Sequence, residues 1–414
     1  MDQYDKDLLF RLYVQGFEEY AALKKKWHKV IFSSPKQKSS FIEFKSIGNM
    51  YYAGREYRKA LICYNKALCH AVKGSEDVGV LFSNRSAVAF EMKLYPECMK
   101  NIQLARENNY PKDNLLKLKK REDKCMEMIS SMKTLPNGND SENLIDLLYG
   151  SLQWPYMIDC LEIVHKKNED PYLITKRDLK AGDMIAKDKP FVGILSENNL
   201  NINCFNCMKE CILDLIPCDK CALVMFCSEN CKESGFQVHQ YECGIIDHMI
   251  SVFGWKSLKE HNKCRALFKA LSIFNGSVEN LMEFVNETNK SSQEMITLEM
   301  CNNEKAFLKA ICSINNRSDD DLYIEYFYSF YPKIKEMMAN KDFRKFVTMF
   351  TKTIPVVIKT ELITLTKMNG GYHPLELVLS LSCAPNVFSF ILNDSKIIYS
   401  VQHPIKAGEK LTIE

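Results

Sequence analysis

The sequence predicts a mixed α+β chain with a helical block at its N-terminus, followed by β-structure that is split by a cysteine-rich finger and a long helical insert. Three observations carry this prediction. Apolar and small residues recur at helical spacing through residues 39–130, and the pattern is repeated once. Short alternating apolar segments stand both before and after a long helical stretch at about 244–367. Between them, seven cysteines and one histidine fall into four close pairs within 40 residues.

Bulk properties set the frame. A chain of 414 residues is long enough for two or three domains that each bury a core. An apolar fraction of 46% and a charged fraction of 26% are ordinary for a globular protein. A net charge of +3 gives no push toward nucleic acid or membrane surfaces. The first residues, Met1-Asp2-Gln3-Tyr4-Asp5, are charged, and no apolar run approaches the ~20 residues that span a bilayer. The expected location is the cytoplasm, the nucleus or both. The 17 cysteines would be kept reduced there, and a tight cluster of them points to metal before disulfides.

Residues 1–38 read as a charged, weakly helical extension. Its Lys24-Lys25-Lys26 run is read as a solvated helix face before an import signal. Residues 39–130 read as repeated helix pairs. Tyr57, Ala60, Tyr64 and Ala67 return 38 positions later as Tyr95, Cys98, Ile102 and Ala105, and Gly48-Asn49 returns as Ser86-Ala87. Small residues let one helix of a hairpin lie close to its partner, while the large ones fill the groove. This spacing resembles a tetratricopeptide (TPR) helix pair, whose usual period is ~34, and the extra residues fit a turn at Lys73-Gly74-Ser75-Glu76. Residues 131–146, with Pro136-Asn137-Gly138-Asn139-Asp140-Ser141, form a linker.

After a short helical stretch, residues 147–203 carry strands near Tyr172–Ile174, Asp183–Ala186 and Phe191–Leu195, with a turn at Lys180-Ala181-Gly182. The finger occupies residues 204–243, the helical insert 244–367, and a second β-part 368–414, with strands from Val387 onward.

The finger pairs are Cys204/Cys207, Cys218/Cys221, Cys227/Cys231 and His239/Cys243. Eight soft ligands suffice for two tetrahedral zinc ions. Such pairs usually interleave. That gives Cys204, Cys207, Cys227 and Cys231 to one site, and Cys218, Cys221, His239 and Cys243 to the other, the last two reaching their ion from one helical turn. Cys211 breaks the spacing and reads as a bystander. Buried, unmetallated thiols are the bland alternative, which four correctly spaced pairs disfavour. With Val224-Met225-Phe226 before Cys227, these residues resemble the MYND finger. That resemblance implies binding of proline-containing peptides or support of a neighbouring domain.

A MYND-like finger set into β-structure behind a TPR-like block resembles the SET-and-MYND-domain family of protein-lysine methyltransferases, most closely its TPR-bearing fourth-member branch. The likeness covers roughly residues 40–414. It implies a split SET-like β-domain and S-adenosylmethionine as methyl donor. Lys176-Arg177-Asp178-Leu179-Lys180-Ala181-Gly182 matches the first SET piece. The family's Gly-x-Gly turn, where bare backbone lies against the donor, is replaced by Asp170-Pro171-Tyr172-Leu173. Ser382-Cys383-Ala384-Pro385-Asn386 matches the second piece, but the family's donor-binding Asn-His pair stands here as Ser380 and Leu381. Serine keeps one hydrogen bond and leucine offers none. Ile405-Lys406-Ala407-Gly408-Glu409-Lys410-Leu411-Thr412-Ile413 matches the third piece; the sequence ends at Glu414, before the tyrosine and the zinc loop (post-SET region) that follow in active members. The expected function is therefore a zinc-dependent interaction scaffold with a degenerate donor site and no assigned catalytic residue. An active protein-lysine methyltransferase and a TPR chaperone co-factor remain as alternatives.

TPR domains that hold the acidic C-termini of chaperones use a carboxylate clamp of Lys, Asn, Asn, Lys and Arg. By repeat position, Lys45, Asn49, Asn84, Lys117 and Arg121 are the candidate peptide-binding residues. The bland alternative is ordinary surface charge.

Overall fold

The computed structural model describes residues 36–131, 157–167, 169–246, 258–289, 296–313, 332–353, 370–371, 373–392 and 394–414. The extension at 1–35, the linker from 132 and the short helical stretch before 157 lie outside the described residues.

Five helices open the fold: α1 (Lys38–Ala53), α2 (Tyr57–His70), α3 (Glu76–Glu91), α4 (Tyr95–Glu107) and α5 (Leu115–Ser131). The internal repeat seen in sequence is a repeat of backbone. Helices α1 and α3 are both 16 residues long and begin 38 positions apart, as do α2 and α4 at their equivalent tyrosines. Even the turns correspond. Arg55 (φ 61°) and Lys93 (φ 60°) both take the left-handed conformation that ends a helix. The following amides close the same bond, Glu56 N–H to the Tyr51 carbonyl and Leu94 N–H to the Ala89 carbonyl, each at 2.9 Å. Gly48 lets the hairpin close, because a Cβ there would sit 2.6 Å from the Tyr64 ring. The loop after α2 is one residue shorter than the sequence implied, since Glu76 opens α3 and with Asp77 complements its N-terminal dipole.

The β-structure is drawn from both sides of the finger and insert. Strand β1 (Leu161–Val164) pairs with β2 (Tyr172–Thr175). Strand β3 (Met184–Asp188) pairs antiparallel with β10 (Ile397–Val401), which pairs in turn with β9 (Val387–Ile391). Strand β4 (Gly193–Ile194) meets β7 (Gly370–Gly371), and β8 (Ser380–Leu381) runs parallel to β11 (Thr412–Ile413). Two turns of matching sequence support the joint. In Lys180-Ala181-Gly182-Asp183 and Lys406-Ala407-Gly408-Glu409 the glycines sit at φ 91° and 85°, and the acid at the fourth position accepts from the amide of the lysine that opens the turn. The predicted strand at Phe191–Leu195 contracts to Gly193–Ile194. Phe191 and Val192, just after Pro190, are spent as core side chains.

The insert contains α7 (Leu258–Ile273), α8 (Val278–Asn289), α9 (Glu304–Ser313), α10 (Pro332–Met337) and α11 (Lys341–Thr353); its predicted continuation to 367 lies outside the described residues. Among the described residues no helix is long and apolar enough to cross a membrane.

Two hydrophobic cores result, and their border is informative. One joins the β-structure to the insert through Leu173, Ile185, Phe307 and Tyr399. The other joins the helical block to the finger through Leu61, Leu81, Leu215 and Phe226. Most of the finger is packed as an extension of the helical block, while Val238 and Tyr241 belong to the first core.

Candidate functional site

The finger is built on little regular structure. A two-residue ladder pairs β5 (Ile216–Pro217) with β6 (Met225–Phe226), and α6 (Glu229–His239) follows. Ser228 is the N-cap of α6, its hydroxyl accepting from the Cys231 amide at 3.2 Å. That cap places Cys231 on the first turn of α6 and His239 on its last residue. The helix ends there, so Cys243 reaches the site from the turn beyond, where its amide bonds to the His239 carbonyl at 2.8 Å.

The eight paired residues assemble into two groups. Cys204, Cys207, Cys227 and Cys231 have their ligand atoms within 4.8 Å of one another, as do Cys218, Cys221, His239 and Cys243. The separations fit zinc. Ligands at ~2.3 Å in a tetrahedron put neighbouring sulfurs about 3.8 Å apart, far beyond the ~2 Å of a disulfide. The Cys207–Cys227 distance is 3.7 Å and Cys218–Cys243 is 3.8 Å, while His239 Nε2 lies 3.4 Å from the Cys221 sulfur. Hydrogen bonding from Cys207 holds the Cys204 thiol down to about 5, and bonds from Cys221 and Cys243 lower Cys218, so each group favours a thiolate. Cys211 belongs to neither group and donates to the Lys209 carbonyl at 3.2 Å. The region therefore carries two Cys/His clusters of zinc-binding composition and shape.

A polar clasp holds the finger to the helical block. Arg85 on α3 is fully buried, donating to Asn65 Oδ1 at 3.1 Å, to the Leu215 carbonyl at 2.5 Å and to the Leu213 carbonyl. Asn65 on α2 gives its amide to the carbonyls of Asn201 and Ile212, at 3.0 and 2.9 Å. Asn101 on α4 is the third residue of the clasp, donating to the Leu213 carbonyl at 3.0 Å. Burial pulls Arg85 down to about 9, the cost of desolvating a guanidinium that these carbonyls offset. Sequence reading passed over all three residues. The available signal was Arg85 within the small-residue run Ser83-Asn84-Arg85-Ser86-Ala87, where a helix packs closely.

The clamp candidates lie on α1, α3 and α5, with varied partners. Asn49 and Asn84 meet at 3.4 Å, and Asn49 Oδ1 also accepts from the Tyr64 hydroxyl at 2.9 Å. Arg121 spends part of its fork on α3, donating to Ser86 Oγ at 2.7 Å and the Ser83 carbonyl at 3.1 Å. Lys45 stands 5.4 Å from the Phe41 ring of its own helix, and Lys117 is exposed.

Ser380 and Leu381 form β8. The Leu381 side chain is 76% exposed, and the neighbouring Ser382 amide is tied to the Ile413 carbonyl at 2.8 Å. Asn386 locks the same region, accepting from the Thr412 amide at 2.8 Å and donating to the Lys410 carbonyl at 2.9 Å. At Tyr172, on the segment lacking glycine, the ring is flanked by the ammonium groups of Lys410 at 4.2 Å and Lys166 at 5.3 Å.

Comparison with known proteins agrees with this arrangement. Residues 204–243 match the MYND finger family. The chain is similar to protein-lysine N-methyltransferase SMYD4 of Danio rerio, 23% identical over 238 residues, which is 53% of this chain and 31% of that protein. It is similar to the Homo sapiens SMYD4 at 22% over 268 residues, covering 49% of this chain and 33% of the relative. A SET and MYND domain-containing protein of Dictyostelium discoideum is 36% identical over 87 residues, 20% of this chain and 22% of that protein. The chain thus spans about a third of the length of the SMYD4 relatives that it matches (31% and 33%). With a MYND finger holding two Cys/His clusters behind a repeated helical block, the matches support the SET-and-MYND-domain family for this chain, and the SMYD4 branch fits it.

Proposed function

We propose that this chain works as a zinc-organised protein-interaction scaffold whose SET-like β-structure no longer handles a methyl donor efficiently. The observation that carries this reading is Leu381. It stands where the family's histidine reads the donor, it offers no polar group, and its side chain points largely to solvent. Ser380 beside it keeps a single hydroxyl, and Tyr172 puts a lysine-flanked ring where close backbone approach to a donor calls for glycine. The residues present do not fit S-adenosylmethionine, so no methyl-transfer step is derived for them. Methyl transfer requires a donor carbon held ~3 Å from the accepting nitrogen with water excluded, and two of the supports for that geometry are replaced.

The scaffold's working parts are the zinc-bearing finger, a protein-interaction module, and the TPR-like groove. Two zinc ions organise the finger, held by Cys204, Cys207, Cys227 and Cys231 and by Cys218, Cys221, His239 and Cys243, and they supply structure, not chemistry. The partners are proteins: proline-containing peptides at the finger, and acidic, carboxylate-terminated peptides at the groove, where the Asn49–Asn84 pair and Arg121 supply donors. Calorimetry with S-adenosylmethionine on the purified chain, with a methyl-transfer assay on histones and peptides, tests the proposal. Weak or absent donor binding and no turnover are expected. Tight binding with turnover at ~1 per second or faster would establish an active lysine methyltransferase and overturn it.

A further inference from the structure

One buried ion pair joins the finger to the insert and reaches the surroundings of both clusters. Glu242 immediately precedes the ligand Cys243, and its side chain is completely buried. Its Oε1 lies 3.4 Å from His239 Nδ1, the ring nitrogen opposite the one that faces Cys221. The same oxygen accepts from Arg265 Nη1 at 2.9 Å, and Arg265 is 7% exposed at its side chain. Arg265 comes from the insert, on α7. Its guanidinium carbon also stacks 4.0 Å from the centre of the Phe205 ring, and Phe205 directly follows the ligand Cys204. One turn further along α7, Phe268 stacks on Tyr241 at 5.4 Å. A single side chain of the insert therefore contacts the neighbour of a ligand in each cluster.

We infer that Glu242 and Arg265 are positioning residues for the second zinc site, and that through them the helical insert sets that site's metal affinity. The inference rests on the reading of Cys218, Cys221, His239 and Cys243 as a zinc site. The chemistry follows from the imidazole. With Glu242 accepting from Nδ1–H, the ring is fixed in the tautomer whose Nε2 lone pair faces the thiolates, and the carboxylate makes that nitrogen a better donor. Arg265 aims Glu242 at the ring, because its guanidinium donates to the same carboxylate oxygen that faces Nδ1. A carboxylate behind a ligating histidine is worth 10- to 100-fold in metal affinity. Supply of the cation by a helix that begins 15 residues beyond Cys243 links finger and insert at the metal itself.

The test is titration of the metal-free full chain with cobalt(II), because an all-sulfur site and a three-sulfur, one-nitrogen site give separable absorption bands. Glu242→Gln retains an accepting oxygen without the charge, Glu242→Ala removes both, and Arg265→Met removes the cation. The three-sulfur, one-nitrogen band should need about tenfold more cobalt in Glu242→Gln and up to 100-fold more in Glu242→Ala and Arg265→Met. The all-sulfur band should titrate as in the wild type, and Arg265→Lys should restore part of the loss. If both bands weaken together, or neither moves, the pair is only packing and the inference is overturned. If the wild type shows no three-sulfur, one-nitrogen band, the zinc reading of that cluster has failed first. Should Glu242→Ala not fold, Glu242→Gln and Arg265→Lys still decide the matter.

Discussion

Arg85 and Leu215 meet across the joint between the helical block and the finger, guanidinium to backbone carbonyl at 2.5 Å, with no solvent around the arginine. Leu215 lies between the bystander Cys211 and the ligand Cys218, so this bond fixes the loop that leads into the second cluster. The two terminal nitrogens of the arginine are satisfied by main-chain oxygens and an asparagine, with no carboxylate bonded to them. Its worth lies in what its removal leaves behind: Asn65 Oδ1 and the Leu215 carbonyl lose their arginine donor in a dry interface, while the Leu213 carbonyl keeps Asn101.

Arg85→Met is therefore expected to destabilise the chain by about 1–3 kcal/mol, the cost of leaving buried neutral acceptors without their donor. Asn65→Ala, which strands the Asn201 and Ile212 carbonyls, should cost ~1–3 kcal/mol. Urea unfolding followed by helical signal and by zinc release should show the two transitions moving together, because both parts share one core. Separate transitions, with only one of them displaced, would show the clasp to be incidental.

Zinc content gives a second prediction. Elemental analysis should return two ions per chain, Cys218→Ser should lower the count and unfold the finger, and Cys211→Ser should leave it at two. The contrast rests on position, since the Cys218 sulfur lies within 4.8 Å of its three partner ligand atoms and the Cys211 thiol, outside both groups, donates to a nearby carbonyl. One zinc or none in the wild type would refute the two-site reading.

Asp188, buried at the end of β3, makes a pH prediction. Burial pushes its carboxyl up to about 7, against the pull of the Leu375 and Lys189 amides. An unfolded aspartate releases its proton near 4, so between roughly pH 4 and 7 folding takes up a proton and stability falls as pH rises, levelling off above 7. Asp188→Asn keeps an oxygen for the Leu375 amide, 2.7 Å away, and removes the titration. The variant should be the more stable at pH 8, by ~2 kcal/mol or more, with the gap shrinking by up to ~1.4 kcal/mol between pH 7 and pH 6. A gap independent of pH, or one that widens toward acid, would contradict the buried carboxyl's role.

How much of this was legible in sequence follows from the range of the forces involved. Ligand spacing is local: a metal ties residues two to four apart, so the pairs around Cys204 and Cys218 could be read directly, and their interleaving follows the usual habit of such fingers. The helical repeat was legible because Tyr57 and Tyr95 begin equivalent helices, and packing repeats with the backbone. Arg85 and Arg265 were not. Each is recognised by carbonyls, a carboxylate or a ring 23 to 130 residues away, and nothing in an arginine's immediate neighbours says which fold will bury it. Cys243 was placed on a helix because a four-residue step fits one turn, whereas α6 closes at His239 and a looser turn delivers the same spacing. Phe191 and Val192 alternate poorly with their neighbours, and the core claims them without a strand.

The last prediction concerns the groove lined by α1, α3 and α5. If it holds acidic peptides that end in a free carboxylate, Asn49 and Asn84 are its most prepared donors. Asn49 Oδ1 accepts from both Tyr64 and Asn84, which turns the Asn49 amide nitrogen away from that pair and leaves it available to a ligand. Arg121 is partly committed to Ser83 and Ser86 on α3, which fixes its fork while leaving further N–H groups to bind a carboxylate. Lys45 and Lys117 add charge at the sides. Most contacts would be charge-assisted, so affinity for a chaperone-like acidic C-terminal peptide should be micromolar and should fall with added salt. Arg121→Ala should cost roughly 1.5–3 kcal/mol, about tenfold or more in Kd, and should also loosen α5 from α3 because its bonds to Ser83 and Ser86 are lost. Asn49→Ala separates the two effects, since Asn49 is exposed and its removal spares the α3–α5 contact. Amidating the peptide's C-terminus should weaken binding at least as much as Arg121→Ala, because it deletes the group the donors converge on. Equal binding of free and amidated peptide, or wild-type affinity in both variants, would leave these five residues as surface charge.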